Sequence, residues 1–194
     1  MGMTTLMQIF STRGLMVVGA LNITSTISNL FNVIFISMGS AVAVMVGQAL
    51  GANDISRAKL SAWRLIFFNF SICILVGTVL FILSPILPQM YNTTDDVRHL
   101  ASRFMQTNAI YMAINAVTHC TYFTIRSGGK TFITFLFDSA YTWVIFVPLT
   151  YVLTHFTGLN ILWLYPICHL ADVLKCIIGI SVVKSGRWAQ NMVQ

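Results

Sequence analysis

Residues 60–83 read LSAWRLIFFNFSICILVGTVLFIL, a run whose only charge, Arg64, sits near its front. Crossing the hydrocarbon core as a helix takes roughly 20 apolar residues, and this stretch meets that requirement by itself. Four further stretches do the same: 27–50, 100–125, 132–154 and 161–183. A sixth, 3–21, is more polar, carries Arg13 and reads as a helix lacking its beginning. Only 8% of the residues are charged while 57% are hydrophobic, and the mean hydropathy is +0.80. A water-facing surface cannot be built from that composition. The expected fold is therefore all-α, a polytopic membrane bundle of six transmembrane helices.

The breaks carry turn and cap chemistry. Gly51-Ala52-Asn53-Asp54 ends one helix, with Ser56 available to cap the next. Pro85 and Pro88 close another, and Asn92-Thr93-Thr94-Asp95 offers an N-cap beyond them. Ser127-Gly128-Gly129 and Thr157-Gly158 supply the remaining turns. Basic residues gather at alternate junctions: Arg57, Lys59 and Arg64, then Arg126 and Lys130, then Lys184 and Arg187. Cytoplasmic loops carry the excess of Lys and Arg, so both termini are expected in the cytoplasm, with an even helix count. The net charge of +6 is then a topology signal and gives no reason to expect a nucleic-acid partner.

The N-terminal residues show no basic n-region and no signal-peptide cleavage site. The four cysteines fall within predicted helices without metal-like spacing and read as small core residues. Enzyme signatures fail. Gly129-Lys130-Thr131 resembles the end of a phosphate loop, but the required upstream glycine is Thr124. HExxH, GxSxG and CxxC are all missing, and the chain contains no glutamate. No cofactor is expected.

Polar residues inside the apolar runs are the functional candidates, because the bilayer makes them costly. Asn108, Tyr111, Asn115, His119, Tyr122 and Arg126 recur at three- and four-residue steps on one helix face. Such a stripe either lines a water-filled pathway or glues neighbouring helices through hydrogen bonds worth about 0.6 kcal/mol each. His119 reads as a neutral, hydrogen-bonded histidine or as a proton carrier. Tyr165, His169, Asp172 and Cys176 share a face of the last helix, and Lys175 lies at i+3 from Asp172. That spacing suits an Asp172–Lys175 ion pair, either static or rearranging during a conformational change. Asp138 is expected to accept from Tyr141 or Trp143, or to pair with basic residues at the cytoplasmic turns. Arg13 needs a carboxylate or carbonyl on another helix. Gly39, Ala43, Gly47 and Gly51 form a small-residue stripe suited to close helix contact. Pro148 and Pro166 can kink their helices. Phe67, Phe68, Tyr141 and Trp143 could offer ring faces to an apolar cation.

Two motifs carry a family resemblance. The first is Met45-Val-Gly-Gln-Ala-Leu-Gly-Ala-Asn-Asp54, including Gly47, Gln48 and Gly51, followed by Arg57-Ala58-Lys59. The second is Ile125-Arg-Ser-Gly-Gly-Lys-Thr131, followed by Asp138, Trp143 and Pro148. With Lys175 and the Gly186-Arg187-Trp188 ending, the chain resembles the multidrug and toxic compound extrusion (MATE) transporters along its whole length. The resemblance implies a twelve-helix architecture of two six-helix lobes related by a pseudo-two-fold axis, of which residues 1–194 would be the C-terminal lobe and the N-terminal lobe would be absent. It implies export of organic cations or drug-like compounds across the plasma membrane, driven by Na+ or H+ antiport. The sodium-coupled branch has a carboxylate where this chain has Asn115, and an amide offers a cation no charge. Two alternatives stand beside this: a truncated or half-size subunit that does not transport alone, and a flippase of lipid-linked precursors. Long basic stripes would favour the flippase, and none is visible.

Overall fold

Helix α3, Ile55–Leu83, is the stretch quoted above, extended at its front by one turn. Its N-cap is Asp54, whose carboxylate accepts from the Arg57 amide at 2.9 Å, so Asp54 and not Ser56 caps it. An aspartate at this position satisfies an otherwise orphaned helical N–H and favours the positive helix end. The computed structural model describes residues 2–129 and 131–189; Lys130, one of the expected cytoplasmic basic residues, lies outside them.

The remaining long elements are α2 (Leu15–Gly51), α4 (Asp95–Ser127) and α7 (Ile161–Ser185), preceded by a short α1 (Gly2–Ser11). Residues 131–156 begin as α5 (Thr131–Phe135), widen into two π-helical turns (Leu136–Ala140 and Thr142–Phe146) and end as α6 (Val147–Phe156). A 3-10 turn, Leu87–Met90, follows α3.

The first two expected helices, 3–21 and 27–50, are corrected. The chain breaks at Thr12-Arg13-Gly14, where Gly14 takes a left-handed backbone (φ 118°), and then runs as one 37-residue helix. Residues 22–26 fall between the two expected helices. Thr24, Ser25 and Thr26 instead bond their hydroxyls back to carbonyls three or four residues earlier, as hydroxyls do inside helices.

The expectation of five cleanly apolar stretches is corrected as well. Among the described residues, four helices are long and apolar enough to cross a membrane: α2, α3, 132–156 and α7. The expected 100–125 stretch lies in α4, which is long enough but more polar. Its position explains the difference: α4 packs against α2, α3 and α7 and is the central helix of the bundle. A helix shielded from lipid by its neighbours need not be apolar all round.

Among the described residues, two apolar cores follow from this arrangement. One joins α1, α2, α3, α4 and α7 around Phe104, Met105, Leu80 and Leu164. The other lies toward the basic junctions, around Val46, Leu50, Ile125 and Trp188. Trp188, nearly fully buried, donates its indole N–H to the Val183 carbonyl at 3.0 Å. It also abuts Gly128, where a side chain would collide with its backbone. Lys59 reaches the Gly186 backbone, so the three basic junctions meet at one end of the bundle. At the other end Arg13 donates to the carbonyls of Thr154 and Thr157, which supplies the carbonyl partners that the sequence left unnamed.

Candidate functional site

The widened segment sets up the site. Pro148 has no amide hydrogen for the Val144 carbonyl, and its ring crowds that carbonyl. The two π turns immediately before it relieve the crowding by widening the helix. Extra residues in such turns re-aim side chains, which is why they recur at functional positions. Here they turn Asp138 toward α7 and bury Tyr141, whose hydroxyl donates to the Ala171 carbonyl at 2.6 Å.

Asp138 accepts from Lys175 Nζ at 2.8 Å. The expected Asp172–Lys175 pair is therefore replaced by a pair across two helices. Asp172 instead accepts from its own helix: its Oδ2 lies 2.7 Å from Nδ1 of His169. The reason is geometric. On a helix both i−3 and i+3 neighbours are within reach, and Lys175 is drawn across the groove by Asp138 and by the faces of Phe137 and Tyr141, 5.5 and 5.9 Å away. Neither Tyr141 nor Trp143 bonds to the Asp138 carboxylate.

A cleft of about 280 Å³ opens where α2, α4, α7 and the π turns meet. Thr118, His119, Tyr122, Arg126, Asp138 and Lys175 supply its polar wall, with Ile36, Phe123 and Phe137 as the apolar wall. The α4 stripe thus divides. Its lower part, His119, Tyr122 and Arg126, lines the cleft. Its upper part ties helices together. Asn108 donates to Ser28 on α2 at 3.1 Å and accepts from Tyr165 on α7 at 2.9 Å. The Tyr111 hydroxyl donates to the Pro166 carbonyl at 3.3 Å. Asn115 is half-buried, and its backbone carbonyl faces His119 Nδ1 at 3.2 Å. The interhelical reading describes the upper half of the stripe, while the lower half faces the cleft.

Other expected residues separate. Gly39 packs so tightly on Phe123 that any side chain would strike the ring, whereas Gly47 and Gly51 have open space beside them. Of the three glycines in the stripe, Gly39 is the one that makes a tight packing contact. Gln48 is exposed beside that open space. Phe67, Phe68 and Trp143 lie on the outside of the bundle, and of the four suggested aromatics only Tyr141 is near the cleft.

One residue escaped sequence reasoning. Asn69, fully buried in α3, donates to the Ala116 carbonyl at 3.2 Å and the Cys120 thiol at 3.0 Å, and its oxygen faces Cys73 at 3.5 Å. The available signal was a lone amide in the centre of an otherwise apolar run. The four cysteines are buried and unbridged.

Long apolar helices around a polar central helix, with charged side chains turned inward on a cleft, define a multi-pass membrane protein of the transporter class. The MatE family model matches residues 1–152. The chain belongs to the MATE family, whose members are transporters and not enzymes. It is 29% identical over 142 residues to multidrug and toxin extrusion protein 2 of Oryctolagus cuniculus, covering 72% of this chain and 22% of that protein. It is 27% identical over 145 residues to multidrug resistance protein MdtK of Photorhabdus laumondii, covering 75% of this chain and 32% of the other. A solved MATE in complex with MaL6 superposes with a TM-score of 0.84 at 15% identity, over 96% of this chain and 43% of its own. A MOP superfamily transporter from Pyrococcus furiosus superposes at 0.87 and 16% identity, over 95% of this chain and 42% of its own. The chain thus spans 22% to 32% of these two curated relatives.

Proposed function

We propose that this chain is the C-terminal lobe of a secondary transporter in the plasma membrane, with both termini cytoplasmic. It works with an N-terminal lobe, in the same or a separate chain, to export small organic cations in exchange for H+ or Na+. The observation that carries this reading is the pair of carboxylates held on facing helix surfaces: Asp138 against Lys175, and Asp172 one turn away against His169. Fixed charge within the bilayer is costly and is kept where an ion or substrate passes. The two lobes would rock about a midplane site and expose it alternately to each side. Asp172 supplies the negative charge for a cation. Asp138 and Lys175 form a pair that can open and close between lobe positions. His119, Asn115 and the upper stripe residues Asn108 and Tyr111 line or brace the route, and Arg126 stands at its basic mouth. The names of the two relatives, multidrug extrusion and multidrug resistance, agree with this substrate class.

The test is ethidium accumulation in an efflux-deficient host expressing the chain with its N-terminal lobe. Lower accumulation, abolished by collapsing the ion gradient and by Asp172→Asn, is the expected result. Accumulation indifferent to the chain under either gradient would overturn the proposal.

A further inference from the structure

Two cations and one carboxylate line the cleft between α2, α4, α7 and the π turns: Arg126, Lys175 and Asp138. Lys175 and Asp138 cancel one another at 2.8 Å, which leaves one positive charge over. Protonation of His119 would only add to it. A cationic cargo gains nothing from that excess, so the guanidinium calls for a partner of the opposite sign.

Most of the polar wall is already engaged. The Thr118 hydroxyl donates to the Ile114 carbonyl at 3.0 Å, and His119 Nδ1 lies 3.2 Å from the Asn115 carbonyl. Arg126 and Tyr122 are the exceptions: neither side chain has a hydrogen bond or ion pair with another described residue. Four residues apart on α4, they share a face one helical turn apart, and both line the cleft. Together they present a guanidinium fork and a hydroxyl donor, a set that grips phosphate oxygens.

Placement narrows the choice of anion. Arg126 is the penultimate residue of α4, so it stands at the membrane boundary, the depth of lipid phosphates, where the basic junctions meet. The cleft's volume of about 280 Å³ falls below the roughly 300–1,000 Å³ that enclose a drug-sized ligand. A headgroup fits there, and an acyl tail does not. The tail has a separate path. Gly39 on α2 packs on Phe123 of α4, which sets Ile36 level with the cleft's apolar wall. From Ile36 the exposed Val33 and Leu30 continue along α2 for about 9 Å, away from the basic end and toward the bilayer centre. Positive charge at the boundary and an apolar strip above it match the two ends of a phospholipid.

We infer that this cleft binds an anionic phospholipid, with the phosphate against Arg126 and Tyr122 and an acyl chain along Ile36, Val33 and Leu30. Basic pockets between membrane helices hold lipid phosphates in this way on the cytoplasmic side. The inference shares with the export reading only the cytoplasmic placement of the basic junctions, and its test does not depend on transport.

The test is native mass spectrometry of the chain with its N-terminal lobe, released from nanodiscs of phosphatidylglycerol and phosphatidylcholine in equal parts. Phosphatidylglycerol should be retained in preference to phosphatidylcholine. Arg126→Gln should weaken that retention about tenfold and Tyr122→Phe about threefold. Arg57→Gln, at the same end of the bundle but outside the cleft, should leave it unchanged. Equal retention of the two lipids, no loss in Arg126→Gln, or an equal loss in Arg57→Gln would each overturn the inference. Displacement of the lipid by glycerol phosphate at matching concentration would assign the cleft to a soluble phosphate ester and overturn the lipid assignment. Should Arg126→Gln fail to fold, Tyr122→Phe decides alone, because it removes one hydroxyl and keeps the ring. A protein that retains the lipid but fails the ethidium assay refutes export and leaves this site standing. One that exports ethidium without lipid preference refutes the site alone.

Discussion

Deleting either partner of the Asp138–Lys175 pair should cost unequal amounts, because the two side chains are unequally covered. Lys175 is 14% exposed and Asp138 56%. Removing one member of a fully buried pair costs roughly 3–5 kcal/mol, whereas an exposed pair is worth about 0–1 kcal/mol. Asp138→Asn strands the covered ammonium. The ring faces of Phe137 and Tyr141 still attract it, each by about 0.5–1 kcal/mol, which brings the expected cost down to about 2 kcal/mol. Lys175→Met strands a carboxylate that is half open, at about 1 kcal/mol. The double variant leaves no orphaned charge and should cost about 1 kcal/mol, giving a coupling of about 2 kcal/mol. The assay is unfolding in mixed micelles with rising dodecyl sulfate, followed by far-ultraviolet circular dichroism. A parallel cycle on Asp172 and Lys175 should return a smaller coupling, since those two are not bonded. Equal single costs, or a double variant additive within about 0.5 kcal/mol, would refute the reasoning from coverage and pairing.

Asn69→Ala should lower stability by about 1–3 kcal/mol, because it removes the amide that joins α3 to α4 and leaves buried groups unpaired. Asn32→Ala, half-buried and joined to exposed Asn29 by a long bond of 3.5 Å, is the control expected to be silent in the same unfolding assay. Gly179→Leu should cost about 1–3 kcal/mol by overpacking, since even a Cβ there would lie 2.6 Å from the Thr121 hydroxyl and 2.9 Å from the Phe137 ring. Gly47→Ala, with nothing within 4 Å, should leave the midpoint unchanged.

The membrane class, the helical content and three of the four apolar spans were legible because they depend on local composition: a run such as 60–83 has one viable solvent. The polar face of α4 was legible from its spacing for the same reason. The break between the first two helices was misplaced because hydroxyls and amides at 22–26 suit a helix as well as a turn, while Arg13 and Gly14 stop it for a reason that includes α6. The partner of Lys175 was misassigned because i+3 spacing establishes reach and not preference. The preferred partner stood 37 residues away on another helix.

Sequence alone thus determined that this chain lives in a bilayer, where three of its apolar helices run, where the basic junctions fall and which residues carry charge inside. Each follows from transfer of side chains between water and hydrocarbon, a property of one segment at a time. Only the tertiary structure decided who neutralises whom: Lys175 by Asp138, Asp172 by His169, Arg13 by the Thr154 and Thr157 carbonyls. Pairing depends on the packing of α4 and α7 and on the widened turns before Pro148, and interactions within a few ångströms are set by that packing rather than by separation along the chain.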